Sequence, residues 1–93
     1  MDLNKLFEIF SEKKLHYIDV STNDSGYFRA FASTGYNGRG RAVEISIKDV
    51  RAEIPTEIEV RLMNRREEPT EEKVLTEDRA FELIKNFDTN YYN

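Results

Sequence analysis

The sequence predicts an α+β domain: a four-stranded antiparallel meander with an N-terminal and a C-terminal helix packed on one face, in the order α-β-β-β-β-α. Three observations carry this. Apolar residues recur at helical spacing at both ends of the chain, the period falls to two between His16 and Met63, and glycine- or asparagine-rich breaks divide that middle stretch into short runs.

The 93 residues suffice for one domain, and folding at this size removes roughly 60–65% of the unfolded chain's surface from water. The 39% apolar content with five tyrosines and six phenylalanines excludes a disordered chain. With no cysteine there is no disulfide framework, thiolate nucleophile or cysteine-ligated zinc. The early charges of Met1-Asp-Leu-Asn-Lys-Leu6 predict neither a signal peptide nor a membrane span, and hence a cytoplasmic protein with no membrane partner.

Asp2 is a good N-cap, and Leu3, Leu6, Phe7 and Phe10 follow on one helical face, giving helix 1 over 2–15. From His16 the sheet runs to residue 63. In its first strand Ile18 and Val20 are expected to face the core, with Tyr17, Asp19 and Ser21 outward. Asn23-Asp-Ser-Gly26 is turn chemistry. Phe28, Ala30 and Ala32 then alternate with Tyr27, Arg29 and Phe31; Val43, Ile45 and Ile47 with Glu44, Ser46 and Lys48; Ile58, Val60 and Leu62 with Glu57, Glu59 and Arg61. Residues 64–75 hold so few apolar groups that they read as an acidic, solvated connection. Leu75, Thr76 and Ala80 have the spacing of a hydrophobic staple at the start of helix 2, over 76–88 with its cap, and 89–93 form a tail.

Charge is distributed unevenly. The net value is -4, yet residues 29–51 carry five basic groups against two acidic ones, and residues 52–93 carry six against eleven. A basic hairpin is set in an acidic molecule.

Three features are candidates for function. On the uncovered sheet face, Tyr27, Arg29 and Phe31 combine aromatic and guanidinium groups, the composition of protein-contact hot spots and of base-stacking platforms. The loop Thr34-Gly-Tyr-Asn-Gly-Arg-Gly40 presents Tyr36 and Arg39, with Arg41 following, as a finger suited to a partner's cleft. It runs from strand to strand, so it lacks the helix N-terminus that gives a phosphate loop much of its attraction. The acidic run containing Glu67, Glu68, Glu71 and Glu72 is dense enough to imitate a phosphate backbone.

Two family resemblances stop short. Gly26-Tyr27-x-Arg29-x-Phe31 looks like the aromatic strand of an RNA-recognition motif over six residues, without that family's element order. The element order is similar to that of a double-stranded-RNA-binding domain, but Glu77 and Asp78 stand where that family has lysines.

No catalytic set is evident: His16 is the only histidine, and no serine elbow, HExxH or P-loop is present. The expectation is a non-enzymatic protein with no metal or cofactor. It would act by stoichiometric contact with a protein, in a specific form as a phage- or mobile-element-encoded inhibitor of a nucleic-acid-handling complex, of the anti-CRISPR or anti-restriction kind. The alternative is a single-stranded nucleic-acid-binding module. A homodimer through the bare face or through edge strands is compatible with either.

Overall fold

The computed structural model describes residues 2–35, 40–51, 57–64 and 68–89. The element order is α1 (Leu3–Glu12), β1 (His16–Thr22), β2 (Phe28–Ser33), β3 (Ala42–Ile47), β4 (Ile58–Met63), β5 (Thr70–Val74) and α2 (Glu77–Asn86). The strands form one antiparallel sheet in the order β1-β2-β3-β4-β5, so every strand pairs with its neighbour in sequence.

The α+β class and the meander are as expected, but the sheet has five strands. The fifth lies inside the segment read as a connection over 64–75, where residues 70–74 turn back to pair with β4 in the register Ile58↔Val74 to Leu62↔Thr70. Only Val74 of this strand is buried. At this margin of the core the other two inward positions need not be apolar, for Thr70 is exposed and Glu72 meets Arg79 of α2.

Register fixes which side chains share a face. Across β2, β3, β4 and β5 the core-facing rows are Phe28, Ile47, Ile58, Val74, then Ala30, Ile45, Val60, Glu72, then Ala32, Val43, Leu62, Thr70. Ala30, Val43 and Ile45 are fully enclosed, and the two alanines give the helices room to approach. Leu6, Ile9 and Phe10 of α1 and Ala80, Phe81 and Ile84 of α2 complete the core.

The helices lie side by side and run in the same direction. At their starts the Asp2 N–H donates to the Glu77 carboxylate at 3.0 Å. At their ends the Lys13 ammonium donates to the Phe87 carbonyl at 2.7 Å, and the Thr89 hydroxyl to the Lys13 carbonyl. Parallel neighbours place like ends of their dipoles together, and these side chains offset that: carboxylates at the positive ends, an ammonium at the negative ends. Each helix is also capped. The Asp2 carboxylate accepts from the Lys5 N–H, and the Thr76 hydroxyl from the Arg79 N–H. Leu75, 69% exposed, takes no part in the expected staple.

α1 ends three residues short of the expected boundary in a Schellman turn. The Leu15 N–H donates to the Phe10 carbonyl and the Lys14 N–H to the Ser11 carbonyl, with Lys14 at φ 56°. This turn reverses the chain into β1. It is where β1 departs from the expected alternation, for the register shifts between Tyr17 and Asp19: Tyr17 pairs with Ala32 and Asp19 with Phe31, leaving Ile18 as the extra residue of a bulge. Tyr17 therefore turns to the helix side, its ring 5.5 Å from those of both Phe7 and Phe10. Ile18 and Val20, expected in the core, are 38% and 48% exposed.

The turn into β2 is built on Asn23, whose carboxamide oxygen accepts from the Ser25 and Tyr27 N–H groups. Gly26, at φ 92°, closes it; a Cβ there would lie 2.2 Å from the Asp49 carboxylate and add left-handed strain. The Gly26 carbonyl in turn accepts from the Val50 N–H at 2.8 Å, tying this turn to the end of β3.

Lys14→Gly relieves a left-handed lysine and raises unfolding free energy by about 0.5–1 kcal/mol in urea titrations. Partial burial raises the Tyr17 phenol's pKa, so the folded state holds that proton harder than the unfolded chain does. The resulting stability is complete below about pH 10, the ordinary tyrosine value, and is lost as pH rises through the folded value. Tyr17→Phe flattens that alkaline decline, measured as the wild-type minus variant difference in denaturant midpoint against pH.

Candidate functional site

The exposed part of the face opposite the helices is organised in two cross-strand rows. One runs Asp19, Phe31, Glu44, Arg61, Glu71; the other runs Ser21, Arg29, Ser46, Glu59, Lys73. A third, His16, Ser33, Ala42 and Met63, lies next to the hairpin loop with Ser33 and Ala42 buried. Tyr27 and Lys48, beyond the ends of β2 and β3, and Glu57, before β4, border the second row. Tyr27 and Phe31 are half-buried, and Phe28 between them is sealed in the core. Toward β4 and β5 neighbouring strands place opposite charges side by side, Glu44 against Arg61, Arg61 against Glu71 and Glu59 against Lys73.

Most of those charges are already paired. The Arg29 guanidinium reaches Glu44 at 2.6 Å and Asp19 at 3.0 Å. Its hydrogen bond to Glu44, helped by the charges of Glu44 and Asp19, outweighs its desolvation and holds it still more firmly in the charged form than an isolated arginine. Arg61 meets Glu71 at 2.9 Å, and Lys73 meets Glu57 at 3.3 Å. The hydrogen bond from Lys73 to Glu57 raises the ammonium pKa. Such pairs on an exposed face contribute little stability each, but they fix the side chains and cancel the net field.

Two shallow depressions of about 240 and 270 Å³ open on this face. Both are walled by Ser46, Glu59 and Lys73, so they form one trough crossing β3, β4 and β5, with Tyr27 at one end and Glu71 at the other. β5 supplies Glu71, Glu72 and Lys73 to this trough, from a segment whose composition reads as a solvated connection.

The other residues expected to bind are dispersed. Arg41 turns away from the sheet face to Asp88, whose carboxylate it meets at 3.1 Å and whose carbonyl also accepts from it. It clamps the root of the hairpin loop to the end of α2. Tyr36 and Arg39 lie outside the described residues, as does Glu67. Glu68 is exposed ahead of β5. Glu71 and Glu72, adjacent in sequence, point to opposite faces: Glu71 to Arg61 on the open face, Glu72 to Arg79 at 3.2 Å on the helix side. Arg79 also meets Glu82 at 3.0 Å.

A separate polar cleft of about 510 Å³ lies where the two helices end, walled by Glu12, Lys13, Lys14, His16, Thr34, Asp88 and Thr89. The bonds of Lys13 and Thr89 across it join α1 to the end of α2, which is a structural use of those groups. Among the described residues no cluster of three or more histidine or acidic side chains is arranged to hold a metal ion, and no helix is long and apolar enough to cross a membrane.

No known protein family, curated protein or solved structure matches this chain.

The pairing of Arg29 with Glu44 predicts a coupling energy of about 0.5–1 kcal/mol in a double-mutant cycle of Arg29→Met and Glu44→Gln. It shrinks when salt is raised from low to molar concentration, because the pair is only partly shielded from water.

Proposed function

We propose that this is a non-enzymatic binding protein that acts by stoichiometric contact with another protein through the open face of its sheet. The observation that supports it best is the trough with its flanking half-buried aromatics Tyr27 and Phe31, on a face that neither helix covers. Aromatic groups held in place beside satisfied charges suit a protein surface, where contacts are made by shape and by exchange of existing ion pairs.

The same geometry favours a protein over a nucleic acid as the partner. Lys48 stands exposed beside Tyr27, but Arg29 next to the aromatic patch and Arg41 at the hairpin root are both bound to carboxylates of the same chain. A phosphate would have to displace Asp19, Glu44 or Asp88 to reach them. In the narrower form of the proposal the partner is a nucleic-acid-handling complex that the protein inhibits, with Glu68 and Glu71 facing a basic groove. Net acidity supports this form, while the ion pair from Glu71 to Arg61 weakens the imitation of a phosphate backbone.

The test combines two measurements on the purified chain. Affinity capture from a source lysate with wild-type bait retains a protein that a folded Tyr27→Ala/Phe31→Ala double variant releases. Mixed single-stranded oligonucleotides at low salt show no gel shift. A shift that weakens steeply as salt rises would replace this reading with the nucleic-acid module.

A further inference from the structure

The two edges of the sheet are built differently. β5 carries Glu71, Glu72 and Lys73 in succession, the charged protection that keeps an edge from recruiting another strand. β1 carries no such run. Its only acidic group, Asp19, is occupied by Arg29 at 3.0 Å and by the Ser21 hydroxyl at 3.1 Å. Beside it Tyr17, Ile18 and Val20 are 43%, 38% and 48% exposed, and these are three of the four large apolar side chains exposed among the described residues. Val20 is on the helix side of the sheet, opposite Ala30, yet stands largely uncovered.

We infer that β1 pairs with β1 of a second copy of this chain, antiparallel about a two-fold axis at Val20. The register follows from the backbone and the charges. The Asn23 N–H donates to the Tyr27 carbonyl, and antiparallel alternation then directs the backbone groups of Ser21 and Asp19 to β2 and those of Val20 and Thr22 outward. A two-fold at Val20 makes Val20 its own hydrogen-bonded partner. It sets Asp19 against the other copy's Ser21 and Ile18 against its Thr22, with no like charges opposed. A two-fold at Asp19 would oppose two carboxylates and present backbone groups already directed to β2.

The edges also explain why assembly stops at two. Pairing β1 of one copy with β5 of the next would set Val20 and Ile18 against a charged strand and repeat without end. Pairing β1 with β1 closes the two-fold and leaves a charged β5 at each outer edge. The product is a continuous ten-stranded sheet with all four helices on one side and two open faces joined on the other. This dimer does not depend on what those faces bind.

Sedimentation equilibrium over a wide concentration range tests it. The wild-type chain is expected at twice the mass of one chain, and Val20→Lys, which opposes two ammonium groups at the axis, at the mass of one with an unchanged circular dichroism spectrum. Because the chain has no cysteine, single introduced thiols report the register. Oxidation of Val20→Cys is expected to give a disulfide-linked dimer, since paired residues in antiparallel strands lie about 5.5 Å apart at Cα, within bridging range. Thr22→Cys stays unlinked, its two thiols being four residues, or ~14 Å, apart along the strands. A wild-type monomer at every concentration, a Val20→Lys dimer, or linkage at Thr22 as efficient as at Val20 would each overturn the proposal.

Discussion

The central strand β3 is the constraint from which the rest of the architecture follows. Val43, Ile45 and Ile47 must leave water together, and only a surface as wide as two helices can cover them along with their neighbours on β2 and β4. Once that side is committed, pleating sends Glu44 and Ser46 to the opposite side without further choice. The open face is therefore the reverse of the core: its residues are placed by what their sequence neighbours bury.

That reverse face is held in a state of near neutrality. Cross-strand pairing brings Arg29 to Asp19 and Glu44, Arg61 to Glu71 and Lys73 to Glu57, so a local basic excess in the sequence does not become a basic surface. Charges cancelled in this way steer no polyanion from a distance, but they keep Tyr27 and Phe31 in fixed surroundings. The acidic run before α2 is divided in the same manner, because consecutive strand residues point to opposite sides. Glu71 belongs to the open face, and Glu72 locks β5 to α2 through Arg79.

Both sets of helix ends are clamped by side chains of suitable charge, and Arg41 extends the clamp from the end of α2 to the root of the hairpin loop. One of the arginines that the loop's composition would assign to a partner thus anchors the loop's root to the end of α2.

By itself the sequence determined the two helices, the four strands β1 to β4 and the side that the alternating residues of β2, β3 and β4 take, because apolar spacing at period 3.6 or 2 is a direct record of which side must be dry. Phe28 inside and Phe31 outside were legible in that way. Tertiary structure alone decided the rest. β5 was illegible because an edge strand anchored by Val74 has no apolar row to display. The orientation of Tyr17 was illegible because one bulged residue, Ile18, reverses the parity of everything before it. The ion pairs were illegible because partners such as Arg29 and Glu44, 15 residues apart, meet only through strand register.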